Sequence, residues 1–171
     1  MVKKQPSKRI TSAQQAACHE AGHAVACWSL RRRFDRLSIL KNEAKGTIGH
    51  VPFDPADQPG PQTDRERRAE KRFEHELVIH LAGMAATSVL CGRRSWRGDD
   101  LDRARQLAAA RCSSGEEVDA YLKWLSIRTE NEMRMPVWWR MVEALAAELL
   151  KHKQVPYTQA RWVMESTLER K

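Results

Sequence analysis

No apolar run in this chain of 171 residues approaches the roughly 20 needed to cross a bilayer, which argues against a helical membrane protein. The N-terminus carries Lys3, Lys4, Lys8 and Arg9, but no hydrophobic segment follows them, so a secretory signal is not expected. The four cysteines, Cys18, Cys27, Cys91 and Cys112, show neither CxxC spacing nor the density of a disulfide framework. They read as reduced thiols of a cytoplasmic protein. Internal repeats, low-complexity tracts and a glycine-rich phosphate loop are all absent. What is present is ordinary for a soluble, helix-rich protein: 42% apolar and 30% charged residues, enough to build a genuine core. The expected organisation is a disordered basic tail over 1–10 and one domain over 11–171.

The formal net charge is +8, which can signal nucleic acid or an acidic partner. Here the positive charge is spread over Arg31 to Arg33, Arg65 to Arg72 mixed with glutamates, Arg93 to Arg97 and the C-terminus. No helix-turn-helix signature or aromatic-interleaved basic strand accompanies it. A solvated basic surface fits better than a nucleic-acid interface.

The residues richest in chemistry are His19-Glu20-Ala21-Gly22-His23. Two histidines four apart on a helix project from one face, so their ring nitrogens can converge on one metal ion. Glu20, between them, can reach a water activated beside that ion and serve as general base, the HExxH arrangement of zinc peptidases. The motif needs a helix, and the flanking residues supply one. Thr11 or Ser12 can cap it, with Gln14 or Gln15 completing a capping box, over residues 11–30. The competing reading is a partly buried helix with two packed histidines and an exposed glutamate. Cys18 points about a hundred degrees round the helix from His19 and is not a candidate ligand.

Further along, 37–40 and 47–51 are β-prone runs that Asn42 to Gly46 can turn into a hairpin. Four prolines and a glycine over 52–62 dictate loop, placed to act as a flap. A long helix is predicted over 64–91 with Gly92 as its stop. Phe73, Leu77, His80, Leu81, Met84, Ser88 and Cys91 recur at helical spacing, and Gly83, Ala85 and Ala86 allow another helix close approach. Helices are also predicted over 99–112, 115–134, 136–152 with Pro136 at its first position, and 158–169. His80 reads as a packed or supporting histidine, His50 as a surface residue, and His75 and His152 carry no signal. Trp138 and Trp139 read as core.

A catalytic zinc site needs a third ligand, and the candidate segment is Gly98-Asp99-Asp100-Leu101-Asp102-Arg103-Ala104. Here the sequence resembles the peptidase domain of the FtsH-type ATP-dependent zinc metalloproteases. That family carries HEAGHA and an apolar residue, as in His19 to Val25. It then has a hairpin with a glycine near its end, as at Gly49, and a GRAAE-like string, seen as Gly83 to Thr87. Its third zinc ligand is an aspartate in a string like SNDLERAT, which corresponds to Asp100. The stretch Val142 to Leu150 and the helix opening at Thr158 also look like the end of that domain. Met84 and Thr87 depart from the family's arginine and glutamate.

The resemblance implies a mainly α fold, an FtsH-peptidase-like helical domain with a small hairpin or sheet beside the HExxH helix. It implies Zn²⁺ held by His19, His23 and Asp100, with Glu20 catalytic. Asp99 is then the natural N-cap of the helix carrying Asp100, unless the register is off by one and the two exchange roles. The implied activity is endopeptidase cleavage of unfolded proteins or peptides, an extended peptide pairing with the strand at 47–51. With about ten residues upstream and no Walker A string, a stand-alone domain without its own ATPase is expected, served by a separate unfoldase for folded substrates. A homo-oligomer is compatible with the sequence. A regulatory module that binds metal without turnover, and a basic nucleic-acid-associated protein, are the alternatives.

Overall fold

The helix bearing the paired histidines starts where its capping chemistry dictates. In the computed structural model, which describes residues 10–40, 62–94 and 98–169, helix α1 spans Ser12–Ser29. Thr11 Oγ1 accepts from the Gln14 amide while the Gln14 side chain accepts from the Thr11 amide, a complete capping box. Leu30 closes the helix and Arg31 turns the chain with a left-handed φ of 56°. A three-residue strand β1 follows at Arg36–Ser38, and helix α2 runs over Gln62–Cys91 until Gly92, whose φ of 64° suits a residue without a side chain. Helix α3 covers Asp99–Ala109 and α4 Gly115–Met133, capped by the Ser114 hydroxyl on the Glu117 amide. Helix α5, Pro136–His152, has proline at its first turn. Strand β2, Gln154–Pro156, and helix α6, Tyr157–Glu169, complete the order.

Among the described residues the fold is mainly helical with one small antiparallel sheet, as the resemblance implies. That sheet is a pairing not expected from the sequence, while the partner strand of the expected hairpin lies outside the described residues. Among the described residues β1 pairs with β2, Leu37 opposite Val155, so the sheet joins the segment after α1 to the segment before α6. Leu37 and Val155 are both buried, and that cross-strand pair joins the two segments. The predicted second strand at 47–51, the loop at 52–61, Gly49, His50 and the tail at 1–9 lie outside the described residues.

One cluster of buried apolar side chains draws on all six helices and both strands, with α1 at its centre, packed chiefly against α2 and α5. The buried face of α1 is built from small residues, Ala17, Ala21, Gly22, Ala24 and Ala26, which lets α2 come close. Contact is tightest at Gly22. A β-carbon there would lie 2.6 Å from the Ala82 carbonyl oxygen and 2.7 Å from the Ala86 β-carbon. Because the nearest atom is backbone, it cannot swing aside. Trp138 and Trp139 pack against the core as half-buried residues.

Gly22→Ala is therefore expected to destabilise the protein by about 1–3 kcal/mol, the usual range for overfilling a packed core. Wild-type stability of this variant in urea titration would show that α1 and α2 have room to part.

Candidate metal centre

Helix α1 brings His19 and His23 to the face that meets α2 and the first turn of α3, and the structure sets Asp100 against both. His19 Nε2 lies 2.9 Å from Asp100 Oδ2 and 3.0 Å from His23 Nε2, and His23 Nε2 lies 3.4 Å from the same oxygen. These three atoms form the one triplet of metal-ligating groups of its kind among the described residues. A tetrahedral zinc site with bonds of about 2.0–2.1 Å separates its ligand atoms by roughly 3.3–3.4 Å. The triplet would need to spread by only a few tenths of an ångström to receive such an ion. Two imidazoles and a carboxylate are also a donor set that zinc accepts.

The orientation of His23 is fixed from behind. Its Nδ1–H donates to the Ile79 carbonyl of α2 at 2.7 Å, which leaves Nε2 as the atom facing His19 and Asp100. Metal-ligating histidines are held in this way, through the nitrogen that does not bind. Helix α2 contributes a second fitted feature at Gly83. A β-carbon there would stand 2.4 Å from His23 Nε2 and 2.7 Å from His19 Cε1, so any larger residue would occupy the ground of the two rings.

Electrostatics at the triplet are dominated by proximity. Burial alone would raise the Asp100 carboxyl, but its hydrogen bonds with His19 and His23 hold it far below the usual carboxylate range. Burial would likewise lower His23, yet its hydrogen bond and attraction to Asp100 leave it above the ordinary histidine value. Glu20 is shifted upward, chiefly by burial, with the two histidines opposing the shift and Asp100 adding to it. Glu20 and His23 share a small recess with Ala24, Cys27, Phe34, Arg36 and Leu37, immediately beside the triplet. A carboxyl raised by burial at the edge of a cleft suits proton transfer.

One detail of the sequence reading changes. Asp99 is not the cap of α3: Gly98 is, with φ 110° and no side-chain cap bond, and Asp99 sits in the first helical turn with Asp100 and Asp102. His80 stands 3.9 Å from Asp100 Oδ1, too far for a hydrogen bond but near enough to attract it. The half-exposed His152 borders Glu148, remote in sequence from the triplet. The Ile79 carbonyl was invisible to motif reasoning because a backbone atom carries no residue signature. Gly83 had a signal, its place in a string of small residues. Cys18 is buried, its thiol pushed up to about 12 by that burial, which suits a packing residue.

No family model matches the chain. Among curated proteins it is 38% identical over 112 residues to the ATP-dependent zinc metalloprotease FtsH 1 of Symbiobacterium thermophilum. The likeness covers 60% of this chain and 17% of that protein, so the chain corresponds to less than a fifth of its relative's length. The chain is thus distantly similar, over part of its length, to a zinc metalloprotease, and it has a His–His–Asp group able to hold a metal ion.

If the triplet holds zinc, Asp100→Ala should weaken zinc binding by at least tenfold in chelator competition, in keeping with loss of a ligand. Asp99→Ala should leave zinc affinity unchanged and cost about 0.3–1 kcal/mol through the helix dipole alone. The upward shift of His23 means that a cation competes with a proton there. Zinc affinity should accordingly fall as pH is lowered. Zinc loss in Asp99→Ala, or affinity that rises on acidification, would contradict the assignment.

Proposed function

We propose that this chain is a zinc-dependent endopeptidase acting on unfolded proteins or peptides, with His19, His23 and Asp100 holding the metal and Glu20 as general base. The observation that carries the reading is the convergence of the three donor atoms beside a recess that Glu20 also lines. The partial likeness to a zinc metalloprotease points the same way. Zinc in such a site supplies Lewis acidity, polarising the scissile carbonyl and easing the ionisation of water.

The chain's own residues do the rest. Glu20 takes the proton of the attacking water as its oxygen adds to the carbonyl carbon. When the C–N bond breaks, Glu20 returns that proton to the departing amine. A carboxyl whose burial raises its proton affinity is better able to hold the proton between those two steps. The hydrogen bond from His23 to the Ile79 carbonyl keeps that imidazole from turning.

One observation favours a second reading, a metal-binding module of the same fold with weak or no turnover. Met84 is buried and the Thr87 hydroxyl donates to the Gly83 carbonyl within α2, so neither supplies the charged group that the related family has there.

Glu20→Gln decides between the two. Under the endopeptidase reading it retains the fold and close to one zinc per chain, while cleavage of unfolded casein or short apolar peptides, without ATP, falls by about 10²–10⁴-fold. Equal cleavage by wild type and variant would defeat the mechanism. Zinc in both with cleavage by neither would favour the binding module.

A further inference from the structure

Where Asp100 stands depends on where α3 begins. Its fully buried residues are two alanines, Ala104 and Ala108, and its Gly98 cap makes no side-chain bond. Alanines remove little apolar surface from water, and Leu101 and Leu107 add partly buried contacts with the core. A further fixed point lies in α4. Glu130 is only 3% exposed, a degree of burial that carboxylates reach only when paired.

Each oxygen of Glu130 has its own guanidinium. Arg94 Nε donates to Oε2 and Arg134 Nη2 donates to Oε1, both at 2.7 Å. The two arginines do different work. Arg134 is one turn along the same helix, so its pair constrains nothing beyond α4. Arg94 lies in the connection between α2 and α3 and meets Glu130 across 36 positions of sequence. Its bond ties Arg94, six residues before Asp100, to α4.

We infer that the Arg94–Glu130 pair is a positioning device that sets Asp100 in register with His19 and His23. The inference rests on the reading of those three residues as metal ligands, and it makes Arg94 and Glu130 positioning residues with no contact to substrate. A buried charge relieved of one partner is strained wherever it sits, so stability alone cannot distinguish the two arginines. Metal affinity can.

The test compares Arg94→Ala, Arg134→Ala, Asp100→Ala and the double variant Arg94→Ala/Asp100→Ala. It reads zinc affinity by chelator competition, together with hydrogen exchange of α3 amides in the metal-free protein. Both arginine variants should melt earlier than wild type. Only Arg94→Ala should weaken zinc, by roughly 10–100-fold, the usual effect of removing an outer support of a metal site. That loss should vanish in the Asp100→Ala background, because the pair acts through Asp100. Amides of α3 should exchange faster in Arg94→Ala alone. Arg94→Lys, which keeps the charge but not the guanidinium, should lie between and serves if the alanine variant fails to fold. Equal zinc loss in both arginine variants, or wild-type zinc affinity and α3 exchange in Arg94→Ala, would overturn the inference. If wild-type protein binds no zinc the metal reading falls, and the exchange data then decide the tether: faster α3 exchange confined to Arg94→Ala supports it, and equal exchange overturns it.

Discussion

Helices α1 and α2 can approach only as closely as their side chains allow, and two glycines set that limit. At Gly22 the backbone of α2 passes where a β-carbon would be, and at Gly83 the imidazoles of α1 do so. This reciprocal contact is what allows the Ile79 carbonyl to reach His23 Nδ1 at 2.7 Å. A wider separation would free the ring to turn and would break the geometry of the donor triplet. The alanine-rich face of α1 serves the same end, since it trades side-chain volume for proximity.

The triplet also has an electrostatic logic. Asp100 is held strongly anionic by the two histidines beside it, and His23 gains affinity for a proton from Asp100 in return. Positive charge is therefore favoured at one point in a largely buried site. A proton shared between imidazole and carboxylate meets that demand in part, and a divalent cation meets it more fully. Metal binding at this triplet would be coupled to folding, because its donor atoms converge only when α1, α2 and α3 are all in place.

Much of this was legible in the sequence. The i, i+4 spacing of His19 and His23 and the Thr11–Gln14 box define α1 from local rules alone, and the structure reproduces both. Helix limits at Gly92, Pro136 and Ser114 follow equally local chemistry. The placement of Asp100 beside the histidines needed the family string, since nothing local links residues 81 positions apart. Pairing of β1 with β2 escaped because three-residue strands have almost no periodic signal and their register is set by distant burial. Asp99 looked like a cap by composition, but the chain enters α3 through Gly98 at a φ that an aspartate would adopt only with strain. The burial of Glu130 was equally hidden, because a glutamate in a charged helix ordinarily faces water.

The central claim is that one metal ion is held by two imidazoles and a carboxylate. Zinc K-edge X-ray absorption on the purified protein tests it most directly. The account predicts a first shell of nitrogen and oxygen alone, at about 2.0–2.1 Å, with the multiple scattering of two imidazole rings. A sulfur shell near 2.3 Å, which would implicate a cysteine, or a shell without imidazole scattering, would contradict it.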